Sequence, residues 1–500
     1  MNIALFLQMA AEACPDRMAL TYSGKHYTYS ELYHAAERAA ALFISADVGS
    51  VALLDVSSPA IPIALMGAAM AGKPYVPLNY RLSQAQLDPL LERITPTFLI
   101  HGASLSQPDQ KSGRAQLSTD FLDHVMEVER PEIEWAEDAS SVAVQLFTSG
   151  TTGTPKAAIL RHEHLVSYIL GSVEFMGAME DESTLVTVPP YHIAGISAVI
   201  SNIYACRRIV QLPDFAAEAW LSLCETEQVT SAFVVPTMMS RIIEHLIETG
   251  KDVAHLALTA IAYGGGKMPV PVIQQSLLRF PNVDFTNAYG LTETSSTITL
   301  LTPDDHRAAL ATDEAEVIAR LGSVGKPLPS VEIAIKDDEG LICSAGDAGE
   351  IYVRGPQVSG EYEGRSVLDA DGWFPTRDAG YLDSEGYLFL SGRADDVIVR
   401  GGENISPGEI EDLLHELASI SDVAVVSMPS VEWGETVAAA VVLAPGKTLS
   451  EAELKDHIRS HLRSSRVPEA IQFCTELPYT ETGKLLRREV KTWFSGDAFE

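Results

Sequence analysis

Between Glu31 and about residue 300, two kinds of apolar pattern alternate along the chain. Helical stretches such as YSELYHAAERAAALFI are followed by short apolar runs, among them VALLDV, TFLI, VAVQLF, TLVTV and SAFVV. Alternation of this kind predicts a layered α/β architecture. A first helix is predicted ahead of it, because Ile3, Phe6, Leu7 and Ala10 share one helical face. The apolar stretch Ala60–Gly72 is too short to span a bilayer and contains Pro62, so it predicts a buried helix.

From 331 to 400 the rhythm changes. VEIAIKDDEG, GEIYVRG and GYLFLSG are closely spaced strands separated by Gly and Asp turns, which predicts a small antiparallel β section. A boundary falls near Arg393. Beyond it, Ser406, Pro407 and Glu409 supply an N-cap, a first-turn proline and a capping glutamate for a helix through EIEDLLHEL, and Ser450 with Glu453 repeats the device. The runs VAVVSM and VAAAVVLA between these helices complete a compact α/β unit. The expected fold is therefore α/β: a large N-terminal domain of layered subdomains plus a small β section, 1–394, and a small C-terminal α/β domain, 395–500.

Charge narrows the range of partners. Acidic residues outnumber basic ones by 68 to 35 among 500, a net charge of −33, which argues against nucleic acid or an anionic membrane as the main partner. A phosphate ligand would have to be held by local N–H groups, a metal and a few cations, against the global field. Cys14, Cys206, Cys224, Cys343 and Cys474 are scattered without a CxxC pair, as expected of a reducing, cytoplasmic compartment. The N-terminal stretch lacks the positive region of a signal peptide, and no transmembrane segment is expected.

The stretch TSGTTGTPK is rich in hydroxyls and glycines but does not fit the Walker phosphate loop, which has four residues between its glycines where Gly150 and Gly153 have two. Pro155 pushes Thr154 toward extended geometry, so Lys156 is not expected to open a helix. The loop follows the apolar run VAVQLF and precedes AAIL, which predicts a strand-loop-strand turn. Its N–H groups at Gly150 and Gly153, the hydroxyls of Thr148, Ser149, Thr151 and Thr152, and the Lys156 ammonium suit a phosphate. The same composition also makes an ordinary polar hairpin, and the loop alone decides neither reading.

Further segments decide it. TSGTTGTPK, PPYHIAG, YGGG, NAYGLTET, GWFPTRDAGYLDSEGYLFLSGRADDVIVRGGENISPGEIE and TETGK occur in an order that resembles the adenylate-forming superfamily of acyl- and aryl-CoA synthetases, peptide-synthetase adenylation domains and firefly-type luciferases. The resemblance spans nearly the whole chain. It implies a mobile C-terminal domain hinged on the N-terminal one, with ATP, Mg²⁺ and coenzyme A as ligands. Within Asn287, Ala288, Tyr289 and Gly290 through Glu293, it implies that Thr292 meets the α-phosphate and that Glu293 holds Mg²⁺. One hard carboxylate beside phosphate oxygens is what magnesium favours. Gly264, Gly265 and Gly266 resemble the glycine run beside adenine, Asp378 the ribose-binding aspartate, and Arg393 the arginine near ribose and phosphates. Arg377 stands where glycine is commoner. By the same resemblance, Asp395 is the hinge and Lys484 the catalytic lysine. Gly401 and Gly402 line the pantetheine channel, and Trp433 and Arg466 contact the CoA nucleotide. Core packing would account for Trp433 equally well.

In α-amino-acid adenylation domains, an aspartate that pairs with the ammonium falls where this chain has His192, so the implied substrate is a carboxylic acid without that group. Its pocket is expected near Phe233, Val234, Met238, Tyr263 and Ala288. The resulting expectation is an AMP-forming acid:CoA ligase with His192, Thr292, Glu293 and Lys484 at the reacting centre. The alternatives are delivery to a carrier-protein phosphopantetheine or another nucleophile, a catalytically silent nucleotide-binding protein, and, more weakly, luciferase-type oxygenation. Acid identity and oligomeric state are not legible.

Overall fold

The computed structural model describes residues 1–103, 113–127, 132–148, 155–337, 339–393, 396–400, 403–430, 433–480 and 485–494. Among them, two large sheets carry the N-terminal part. In the nine-stranded sheet the central strands run parallel, in the spatial order Asp284–Leu291, Ala260–Gly264, Ser231–Val234, Ser183–Val186, Arg208–Gln211 and Met18–Tyr22. Antiparallel strands flank them, Ser296–Leu301 with Lys326–Pro327 on one side and Lys25–Thr28 on the other. The eight-stranded sheet has a parallel core of Val142–Thr148, Tyr75–Pro77, Ser50–Leu54, Thr97–His101 and Gly113–Leu117. Lys156–Arg161, Glu361–Tyr362 and Arg365–Ser366 extend it in antiparallel fashion.

The helices pack as their patterns predict. Tyr29–Ser45 starts on a capping box, Thr28 with Glu31, and buries Leu32, Ala35, Ala36, Ala39, Ala40 and Phe43. Ala60–Met70 is buried along its whole length, as a helix without a polar face must be. Ile3, Phe6, Leu7 and Ala10 are fully buried in the same core. No helix among the described residues is long and apolar enough to cross a membrane.

The predicted antiparallel section is present as Glu332–Lys336, Gly349–Arg354, Phe374–Leu382 and Leu388–Arg393. One departure matters. Between its second and third strands the chain leaves this sheet and joins the edge of the eight-stranded one, where Tyr362 pairs with Ala158. Ion pairs hold the excursion: Glu361 receives the Arg161 guanidinium through both oxygens at 2.9 Å, and Arg93 bridges Glu363 and the Pro155 carbonyl.

In the C-terminal part, Ile420–Ser430 and Gly434–Leu443 pair antiparallel, and Ala470–Cys474 lies parallel beside the latter. Val423 and Val425 enter one apolar cluster while Ala424 and Val426 enter another. Burial on both faces is why VAVVSM reads as an unbroken apolar run. Ser450 and Glu453 form their capping box, with Glu453 Oε2 accepting the Ser450 N–H at 2.9 Å. Ser406 does not cap. The helix Pro407–His415 starts where expected, but the Ser406 hydroxyl donates instead to the Ser391 carbonyl at 2.5 Å, and Glu409 turns to Arg466 at 3.2 Å.

Candidate active site

The strands Val142–Thr148 and Lys156–Arg161 pair antiparallel, as strands flanking the expected loop would, with Thr148 opposite Lys156. Lys156 opens a strand, as the proline before it dictates. Its ammonium lies 5.8 Å from the centre of the Tyr362 ring. Ser149, Gly150, Thr151, Thr152 and Gly153 lie outside the described residues.

The strand Asp284–Leu291 carries Asn287, Ala288, Tyr289 and Gly290, bulges between Tyr289 and Gly290, and ends in the single 3₁₀ turn Thr292–Thr294. Ser295 and Ser296 follow at φ +59° and +130°, the second in a region side chains rarely adopt. The segment from Gln357 fixes this conformation. The Gln357 amide donates to the Thr294 and Thr297 carbonyls at 3.0 and 2.8 Å, the Ser295 hydroxyl donates to the Gln357 carbonyl at 2.8 Å, and the Ser359 N–H donates to the Glu293 carbonyl at 2.8 Å. Glu293 itself is only 8% exposed, and its Oε1 accepts the Tyr362 hydroxyl. Burial, and after it the Glu293 charge, pushes the Tyr362 pKa up, so that hydroxyl remains a donor.

Asp378 and Arg393 face each other across neighbouring strands, Oδ1 to Nη1 at 2.9 Å, and the Tyr289 hydroxyl donates to Asp378 Oδ2 at 2.6 Å. Burial first, then Asp378, raises the Tyr289 pKa. The Asn287 amide donates to the Ser323 carbonyl at 3.1 Å and ties the strand to that segment. Arg377 has φ +62°, the left-handed geometry a glycine would supply. Arg377→Gly should therefore stabilise the protein by about 1 kcal/mol, read as a higher denaturant midpoint at unchanged slope. A lower midpoint would show that the contact of Arg377 with Glu350, Nε to Oε1 at 3.8 Å, outweighs the strain.

The glycine run has a structural reason of its own. A Cβ on Gly264 would sit 2.1 Å from the Ala288 carbonyl oxygen, and Gly265 has φ +80°. The register also corrects the expected pocket wall. Val234, Tyr263 and Asn287 stand level with one another, whereas Phe233 and Ala262 occupy the next level, and Gly264 pairs with Ala288. Successive side chains point to opposite faces. Val234 and Tyr263 therefore belong to the core, where the Tyr263 hydroxyl meets His306 Nε2 at 2.9 Å. Phe233, Gly264 and Ala288 share the other face. His192 holds the N-cap position of the helix Ile193–Tyr204, its ring 4.6 Å from that of Tyr191.

In the C-terminal part, Trp433 is 42% exposed with the Arg400 guanidinium 5.6 Å over its ring, so it is not a core residue. Arg466 is engaged by Glu403 and Glu409. Asp395, Gly401, Gly402 and Lys484 lie outside the described residues. Lys267 reaches Asp412 at 2.6 Å and links the two parts.

A model of the AMP-binding enzyme family matches residues 7–363, and one of the AMP-binding enzyme C-terminal domain matches 409–484. The chain belongs to the AMP-binding enzyme family. A feruloyl-CoA synthase from Amycolatopsis sp is 31% identical, covering 97% of each chain. The fatty acid–[acyl-carrier-protein] ligase ScoC from Streptomyces coeruleorubidus is 29% identical over 97% of this chain and 95% of its own. Among solved structures, the o-succinylbenzoate CoA synthetase MenE of Bacillus subtilis, in complex with the acyl-adenylate intermediate OSB-AMP, matches with a TM-score of 0.83 at 29% identity and 97% coverage of both chains. This AMP-binding enzyme thus stands close to the acyl- and aryl-CoA ligases, with their large N-terminal and small C-terminal domains.

Asp378 and Arg393 fall in the interval between the two matched stretches of this AMP-binding enzyme, yet the fold places them beside Tyr289. Tyr362 and Gln357 were not legible as site residues. Their partners lie roughly sixty to seventy positions away, and no motif spacing marks them. Among the described residues, no group of three or more His, Cys, Asp or Glu forms a metal cage. A single buried carboxylate fits Mg²⁺, which takes most of its ligands from phosphate and water.

Proposed function

We propose that this AMP-forming acid:CoA ligase acts on a carboxylic acid without an α-ammonium group. The carrying observation is the junction of three elements at one place: Glu293 on its clasped turn, Asp378 tied to Tyr289 and Arg393, and the hairpin whose Lys156 overlies Tyr362. In this reading Asp378 accepts hydrogen bonds from the ribose hydroxyls, Arg393 and Lys156 balance phosphate charge, and Thr292 donates to the α-phosphate. Glu293 would hold Mg²⁺, which when bound neutralises phosphate oxygens. A substrate carboxylate oxygen bonds to the α-phosphorus as pyrophosphate departs. The CoA thiol then loses its proton, its sulfur bonds to the acyl carbon, and AMP leaves. Lys484 serves the first step and Gly401–Gly402 the second, with the C-terminal domain from 395 onward turning about Asp395 between them.

Phe233, Gly264 and Ala288 offer the acid a small apolar face, which suits an aryl or short acyl group. For the acceptor, the exposed ring of Trp433 beneath Arg400 gives a nucleotide base a surface to stack on, favouring CoA. Delivery to a carrier protein is the second reading, motivated by the likeness to ScoC. The scattered free cysteines support a cytoplasmic location. The test is pyrophosphate exchange across short, long, aromatic and hydroxylated acids, followed by turnover with CoA and with a phosphopantetheinylated carrier. At least one acid should support Mg²⁺-dependent exchange, with CoA the faster acceptor. No exchange with any acid, or faster transfer to the carrier, would overturn the corresponding part.

A further inference from the structure

We infer that Tyr362 is a positioning residue for the metal step, its hydroxyl holding the Glu293 carboxylate in one orientation and leaving Oε2 as the oxygen available to the ion. The inference rests on the proposed role of Glu293. Among the described residues Tyr362 is the one side chain that donates to this carboxylate, and it binds Oε1. A buried carboxylate with a single fixed donor loses most of its rotational freedom before any ligand arrives, which is how residues behind a metal ligand tune affinity.

The donor is itself fixed. Tyr362 pairs through its backbone with Ala158, and the adjacent Glu361 is locked to Arg161 through two contacts of 2.9 Å. The same segment grips the backbone of Glu293, since the Ser359 N–H meets its carbonyl at 2.8 Å. Main chain and side chain of one residue are thus oriented by one short excursion of the chain. The chemistry of the donor also fits. A phenol orients a carboxylate without cancelling its charge, whereas a lysine in that place would compete with the cation. The nearby Lys156 ammonium lies over the ring at 5.8 Å rather than on the carboxylate.

Tyr362→Phe removes one oxygen and keeps the ring, and Tyr362→His restores a donor of different shape. Mn²⁺ binding in the presence of α,β-methylene-ATP, followed by the electron-spin resonance of the free ion, supplies a readout independent of turnover. The dissociation constant for Mn²⁺ should rise on the order of tenfold in Tyr362→Phe and less in Tyr362→His, while metal-free binding of the nucleotide analogue changes by less than about twofold. The Mg²⁺ concentration for half-maximal pyrophosphate exchange should shift in parallel, with the thermal midpoint reporting that each variant is folded. If Glu293→Gln weakens Mn²⁺ binding and Tyr362→Phe does not, the inference falls and the assignment of Glu293 stands. If Glu293→Gln leaves Mn²⁺ binding unchanged, both fall. Equal weakening of metal-free nucleotide binding in Tyr362→Phe would also overturn it, by showing that the ring shapes the nucleotide pocket instead.

Discussion

Alanine at Lys484 should lower acid-dependent pyrophosphate exchange by roughly 10²- to 10³-fold, the usual cost of removing one group aimed at developing charge. Thioester formation from supplied acyl-AMP should survive largely intact. The asymmetry follows from the proposed reaction order, in which the ammonium bridges the substrate carboxylate and the α-phosphate only while pyrophosphate departs. The described residues just beyond Lys484 are anchored to the C-terminal part. Leu485 bridges to Tyr479, the Leu486 N–H donates to the Pro478 carbonyl at 2.9 Å, and Arg487 donates to Glu411 Oε2 and to the Val425 carbonyl, each at 2.7 Å. The thermal midpoint of the alanine variant reports that its domain stays folded. Gly402→Leu should give the opposite pattern, blocking the thiol's path and sparing exchange. Pyrophosphate exchange and single-turnover thioester formation, measured separately for each variant, decide the matter. Equal losses in both half-reactions would contradict alternation of two faces and favour one fixed arrangement.

Free α-amino acids should be activated about three decades less efficiently than their deaminated analogues, because burying an ammonium without a counter-charge costs several kcal/mol. The family resemblance puts His192, at the head of the helix Ile193–Tyr204, where amino-acid adenylation domains supply an aspartate. A histidine cannot pair with an ammonium as a carboxylate does. Exchange rates for matched pairs, such as phenylalanine against 3-phenylpropionate, test this directly. Comparable kcat/KM values for the two members of such a pair would show that the pocket presents an acceptor the sequence does not reveal.

The parts legible in the sequence were those set by local periodicity and by short ordered motifs. The all-apolar helix Ala60–Met70, the hairpin at TSGTTGTPK and the doubly buried strand Ile420–Ser430 each follow from patterns within a dozen residues. What escaped was set by pairing across the fold. Val234 and Tyr263 looked like pocket residues because they adjoin the motifs, but the pleat turns them inward, and only the register with Asn287 reveals it. Ser406 resembled a cap until the Ser391 carbonyl, fifteen positions back, claimed its hydroxyl. Arg377 is the converse case: the side chain departs from the glycine pattern while the backbone keeps the left-handed turn.

The excursion of Glu361–Ser366 also governs how this protein can be divided. The strands on either side of it, Gly349–Arg354 and Phe374–Leu382, are neighbours in the small antiparallel sheet, yet the chain between them is woven into the eight-stranded one. A chimaera spliced at residue 363, where the first family match ends, would part Glu361 from the strand Phe374–Leu382 and make both sheets hybrid at once. Spliced after Arg393, the same exchange leaves every strand of both sheets with one parent, and the contacts that the new junction must keep include Lys267–Asp412 and Ser406–Ser391.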